Sequence, residues 1–199
     1  MQMLMSRFIG FTKVWLLLLM LGLSGCGSVD IHDYSASEPK LDLQQFFNGE
    51  LQASGMVEDY SGQVVRRFNV RMTGSWQGNQ GVLQEWFEYD DGELAERTWH
   101  ITKLADGRYQ GRAEDILGVA EGQAEGFALR WRYDMLLKLD SGEYQVHFDD
   151  WMYQTAPDTI INRSEIRKWG LTVGEVTLVI RRLNEFDANK EALPLHKNN

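Results

Sequence analysis

The feature that most constrains this chain is a rhythm of two. In residues 66–76, Phe68, Val70, Met72 and Trp76 share one phase, while Arg67, Asn69, Arg71 and Thr73 share the other. In 129–139, Leu129, Trp131, Tyr133, Met135, Leu137 and Leu139 alternate with Arg130, Arg132, Asp134 and Lys138. Tyr144, Val146, Phe148 and Met152 repeat the pattern, as do Val176, Leu178 and Ile180. Successive side chains of a strand point to opposite faces, whereas a helix needs a period of 3.6, so this alternation requires strands with one face buried and one wet.

Turn signals punctuate these runs at Ser61-Gly62, 78–81, 90–92, 105–107, 125–126, 140–142, 156–158 and 170–174. Gly and Asp-Gly supply the positive φ of hairpin turns. The spacing suits an antiparallel meander and leaves little room for crossover helices. A meander with one buried face hides its edges by closing. The expected fold is all-β, an antiparallel meander of nine or ten strands closed into a lipocalin- or calycin-like β-barrel. An interior of this size is either filled by side chains or holds one small ligand. A short helix is expected within residues 41–47, plugging one end.

The N-terminus reads as an address. Arg7 and Lys13 precede an apolar run, 14–23, too short to span a bilayer but of signal-peptide length. Leu23-Ser24-Gly25-Cys26 resembles the bacterial lipoprotein processing box, and Cys26 is the only cysteine of the 199 residues. The expected division is 1–25 signal peptide, 26–40 lipid-anchored tether, 41–183 barrel, and 184–199 polar tail. A doubly acylated Cys26 gives stable anchoring where one chain gives only marginal binding. Gly27, rather than Asp, after the cysteine favours the outer membrane over inner-membrane retention, with the domain facing the periplasm. Loss of Arg7 and Lys13 takes the net charge from −9 to −11, so lipid, not surface charge, would do the anchoring. The acidic balance argues against a nucleic-acid partner, and a monomer is expected.

The enzymatic signatures G-x-S-x-G, H-E-x-x-H, the Walker loop and G-x-G-x-x-G are absent from the sequence. The four histidines do not fall at metal-ligand spacing, so no metal, cofactor or catalytic activity is expected. The glycines read as turn residues. Polar residues on the inward phase are more informative. They are Arg66, Glu85, Asp115, Asp150, Asn162 and Arg182, with Ser164 beside Asn162. Unpaired burial costs such groups several kcal/mol each, so they pair, reach water at a mouth, or bind something. Together with Trp76, Trp99 and Trp131 they define a candidate pocket for a lipid or small apolar ligand. Three alternatives follow. The barrel binds or shuttles such a ligand, or it is a filled, non-binding envelope scaffold, or it is an enzyme. The last would use Asp115, Asp149, Asp150 or Glu85 as acid–base and Arg66 or Arg182 as electrophile.

The run 41–49 (LDLQQFFNG), Gly74–Gly81, Trp99–Lys103, Phe148-Asp-Asp-Trp-Met-Tyr153, Asn162-Arg163 and Gly174–Thr177 together resemble the proteobacterial domain-of-unknown-function family 3833 over residues 41–183. The resemblance implies a small envelope lipoprotein and no established activity. Gly74-Ser75-Trp76 is similar to the Gly-x-Trp of lipocalin-like barrels, although there it lies on the first strand and here it closes the second.

The Cys26→Ser variant is expected to leave the membrane fraction or to accumulate unprocessed. Unchanged membrane attachment would contradict the reading of Cys26.

Overall fold

The computed structural model describes residues 29–139 and 142–183. Cys26, the segment 1–25 and the tail 184–199 lie outside them. Among the described residues no helix is long and apolar enough to cross a membrane.

Ten strands follow one another: β1 (Gly49–Asp59), β2 (Val64–Gln77), β3 (Gln80–Tyr89), β4 (Leu94–Lys103), β5 (Arg108–Arg112), β6 (Ile116–Glu125), β7 (Ala128–Leu139), β8 (Gly142–Ala156), β9 (Thr159–Lys168) and β10 (Leu171–Arg182). Each pairs antiparallel with its sequence neighbours, and β1 pairs with β10 from Leu51↔Arg182 to Asp59↔Gly174, closing the barrel. Closure removes the unpaired donors and acceptors that an open edge presents. Burial follows the two-residue rhythm. Phe68, Val70 and Met72 of β2, and Ile160, Asn162, Ser164 and Ile166 of β9, are buried at every second position.

Eight of the connections fall on the expected turns. Asp106 and Gly107 both carry positive φ (57° and 70°), as do Trp169 and Gly170 (52° and 80°), the handedness that matches strand twist in tight hairpins. The ninth connection, β5–β6, is not marked by any glycine or proline. Ala113–Asp115 turn there, with Ile116 N–H donating to the Ala113 carbonyl at 3.2 Å. Asp115 is therefore a turn residue and not the strand residue its phase suggested.

One end of the barrel is covered. The helix α1 (Leu43–Phe46) starts at Asp42, whose side chain accepts from Gln44 N–H at 2.9 Å. Leu41, Leu43, Phe46 and Phe47 are buried across the opening. The cover is tied down on several sides. Leu41 N–H donates to Gly126 O at 2.7 Å, the Trp76 indole to Phe47 O at 2.9 Å, and Gln44 Nε2 to Gly78 O at 2.8 Å. Lys103 Nζ lies 2.6 Å from Asp42.

Two further expectations need correction. Residues 31–40 are not a bare tether. Ile31–Tyr34 form a 3-10 turn, in which positions three apart lie on one side. Ile31 is buried, and Tyr34 packs edge-on against Phe127 and Tyr153, with centroids 5.2 and 5.9 Å away. The polar residues between them conceal this apolar pair. Nor are all glycines turn residues. Gly111 and Gly122 lie within β5 and β6, where an added Cβ would stand 2.5 and 2.3 Å from the Trp131 ring. These two strands are left bare so that the indole can lie against them.

Gly122→Ala is expected to lower unfolding free energy by about 2 kcal/mol, the usual cost of overpacking a core. Urea unfolding checks this; an unchanged midpoint would mean that Trp131 moves aside at no cost.

Candidate functional site

Ten strands leave space that the side chains do not fill. A cavity of about 430 Å³ runs along the barrel interior. Leu43 and Phe47 stand at its covered end, and Val57, Val65, Arg66 and Tyr89 at the other. The walls between are apolar and aromatic, including Phe68, Val70, Leu83, Phe87, Trp99, Trp131, Phe148 and Ile180. Tyr133 and Phe148 stack with centroids 5.0 Å apart, and Trp99 meets Trp131 edge-on at 5.7 Å.

The open end is made by the hairpins β1–β2, β3–β4, β5–β6, β7–β8 and β9–β10, because alternate connections of a meander share an end. Tyr60, Val64, Val65, Leu94, Leu117, Trp169 and Leu171 are exposed at these connections. Arg66 lies inside the rim. Its guanidinium covers the Tyr89 ring at 3.5 Å and pairs with Asp91 at 2.8 Å and Glu93 at 2.5 Å.

Midway along the wall lies a polar pole. Glu85 of β3 faces Arg97 of β4 in register. Arg97 is bidentate to Asp115, at 2.6 Å from Nη2 to Oδ2 and 3.2 Å from Nε to Oδ1, and stands 4.0 Å from Glu85 Oε2. Burial opposes the Arg97 charge, but Tyr133, Glu85 and Asp115 reverse that and raise its pKa. Burial pushes Glu85 up to about 7, against the attraction of Arg97 and a Trp99 hydrogen bond. Asp150 of β8 is likewise pushed to about 7 by burial, against hydrogen bonds with Ser164 and Tyr133. Burial also raises Tyr133 well above its ordinary value, and Asp150, Arg97 and Glu85 all act on it. Ser164 Oγ lies 3.2 Å from Asn162 Oδ1, whose amide donates to Trp151 O at 3.3 Å. Two buried oxygens at this pole, Glu85 Oε2 and Asp150 Oδ1, lack a hydrogen-bond partner among the described residues. An unsatisfied buried polar group costs about 1–3 kcal/mol, more when charged.

Of the residues singled out from phase, Arg66, Glu85, Trp99, Trp131, Asp150 and Asn162 line the cavity. Three do not. Trp76 lies at the covered end with its N–H on Phe47 O. Asp115 reaches the pole only through Arg97. Arg182 belongs to a separate cleft outside the cover, with Pro39, Lys40 and Pro157. Asp149 is buried on the opposite face of β8 from Asp150. It is bidentate to Arg130 at 2.6 and 2.7 Å, so the adjacent carboxylates do not form a dyad. Trp86, Trp151 and Trp169 do not line the cavity either.

Phase counting missed Arg97, although it shares phase with Trp99 and Ile101. The signal was available: Glu85 and Arg97 are equidistant from the 90–92 turn, so an antiparallel hairpin centred there places them opposite one another.

The pole sets a pH dependence. Glu85 and Asp150 hold their protons to about pH 7 when folded, but ionise near 4 when unfolded. The folded state therefore binds more protons between these limits, and stability falls as pH rises from about 4 to about 7. Relative to Glu85→Gln/Asp150→Asn, the native chain should lose about 2 kcal/mol or more between pH 5 and pH 8 in urea titrations. Parallel pH profiles for the two proteins would contradict this account of the pole.

No curated protein matches this chain. Among solved structures, that of the S-type phycobiliprotein lyase CPES from Guillardia theta matches with a TM-score of 0.48 and 11% identity, over 73% of this chain and 95% of that one. The model of the family described as protein of unknown function (DUF3833) covers residues 20–182, the whole of the barrel, and the chain belongs to that family.

Proposed function

We propose that this protein is a lipid-anchored envelope lipoprotein whose barrel binds and shuttles a lipid or other small apolar molecule. In this reading Cys26 carries the anchor, the outer membrane holds it, and the barrel works in the periplasm as a monomer without catalysis. The observation that carries the reading is the unfilled interior. A cavity of about 430 Å³ lies within the range of small-molecule sites, and it combines apolar walls with a few convergent polar groups. A barrel serving only as a scaffold gains from filling this space, since each void forfeits packing contacts.

The exposed side chains at the mouth support the same reading, because an apolar ligand enters most readily past an apolar rim. They also supply the one observation that favours a second reading, a scaffold that docks another protein by this rim. Catalysis finds less support. Asp149 and Asp150 face opposite sides of β8, and Arg66 and Arg182 belong to different ends.

N-phenyl-1-naphthylamine, a neutral probe that brightens in apolar surroundings, should light up with the native barrel. Val70→Trp, which places an indole in the cavity, should abolish the effect while circular dichroism stays that of a β-barrel. Native mass spectrometry of protein taken from its own organism should show a bound apolar mass. A dark probe together with ligand-free protein would rule the reading out.

A further inference from the structure

The polar pole says which head group the cavity takes. Its one guanidinium, Arg97, is already spent on Asp115 by a bidentate pair, leaving Glu85 at 4.0 Å as a looser neighbour. Asp150 is only 6% exposed and has Arg97, Tyr133 and Ser164 around it. What remains at the pole is a surplus of acceptors, Glu85 Oε2 and Asp150 Oδ1, buried atoms of cavity-lining residues with no hydrogen-bond partner among the described residues; the third such atom, the donor Arg66 Nε, lies at the mouth. The groups facing them are Arg97 from β4, Asp115 from the β5–β6 turn, Tyr133 from β7 and Ser164 and Asn162 from β9. Asp149 lies on the far side of β8 under Arg130. With Arg97 neutralised by Asp115, ionised Glu85 and Asp150 give the pole a net negative charge.

We infer that the pole of the cavity binds the protonated amine of an apolar ligand, the ammonium donating to Glu85 and Asp150. This deepens the cavity reading and rests on it. An ammonium brings three donors and a positive charge to a place with two idle acceptors. An alkyl carboxylate brings only acceptors and a like charge, and finds no uncommitted cation at the pole. A fatty alcohol brings one donor and stands between the two. The rings at the pole are already engaged, Phe87 and Trp99 by the Arg97 guanidinium at 5.7 and 5.9 Å and Tyr133 by stacking on Phe148, so the selection of an ammonium falls to the two carboxylates. The raised carboxyl pKa values agree: burial raises both, and Arg97 offsets only part of it.

The test is a matched series on the full protein. Dodecylamine, dodecanol and dodecanoic acid are titrated at pH 8.5, where both carboxyls are ionised and the amine is still protonated. Displacement of N-phenyl-1-naphthylamine and calorimetry report affinity. The amine should bind at least about tenfold more tightly than the alcohol, and the acid most weakly. Glu85→Gln and Asp150→Asn, which keep shape, should each weaken the amine about tenfold and leave the alcohol unchanged. Below pH 7, amine binding should release protons, seen as a dependence of the heat on buffer ionisation. If the acid binds as tightly as the amine, or the two variants leave the amine's advantage intact, the head-group assignment is overturned while the cavity reading stands. If none of the three displaces the probe and the probe itself stays dark, the cavity reading falls, and this assignment with it.

Discussion

The ladder between β1 and β10 is the constraint on which the rest depends. Nine residues of β1, Leu51 to Asp59, find partners between Gly174 and Arg182, more than 100 positions later. Every other strand pair is a local hairpin and would form in an open sheet as readily as in a barrel. Only this last pairing joins the two edges, and only closure turns the inward phase into walls around a common space. The cover over one end is a consequence of the same ladder. Residues 41–47 lead directly into β1, so fixing β1 carries α1 across the opening, where Trp76, Gly78 and Gly126 hold it.

Within those walls two kinds of burial oppose each other. Apolar side chains contribute about 1.5–3 kcal/mol each when fully removed from water, and the barrel has many of them. The pole works the other way. Arg97, Asp115, Glu85 and Asp150 cost desolvation; the Arg97–Asp115 pair recovers it through good geometry, while hydrogen bonds with Trp99, Ser164 and Tyr133 offset only part of it for the other two carboxyls. A barrel built solely for stability would replace Glu85 and Asp150 with apolar residues of similar size. In the function proposed above, their place beside an unfilled cavity ties this energetic cost to ligand binding. Glycines shape the same space. Gly111 and Gly122 let Trp131 lie flat against β5 and β6, and Gly74 lets the backbone at Phe47 approach β2, where a Cβ would come within 2.1 Å of the Phe47 carbonyl.

Much of this architecture is legible in the sequence, because a half-buried strand writes itself as alternation. Phe68-Val70-Met72 and Leu129 to Leu137 declare both strand and facing, and Asp-Gly at 91–92 and 106–107 declares the hairpins. What escaped did so for physical reasons. The β5–β6 turn uses Ala113-Glu114-Asp115, which carries no residue that demands a special φ, so alternation alone gives Asp115 an inward place on a strand. Ile31 and Tyr34 dock by two apolar side chains in a polar segment, below the threshold of any periodicity. Phase tells which side a residue faces but not how far along the axis it lies. Trp76 and Arg182 share the inward phase yet stand at the covered end, whereas Glu85, Trp99 and Asp150 fall at cavity depth. Register arithmetic about the turns, which pairs Glu85 with Arg97, recovers part of that missing coordinate.

The central claim is that closure leaves a ligand-sized space between α1 and the mouth. The most direct measurement is a crystal structure of the protein grown with a bromine-tagged alkyl ligand, read from the anomalous signal of the bromine. A bromine peak is expected inside the barrel, among Phe68, Leu83, Trp131 and Phe148. A peak only on the outer face, or an interior closed by inward-turned aromatic rings with no room for the alkyl chain, would contradict it.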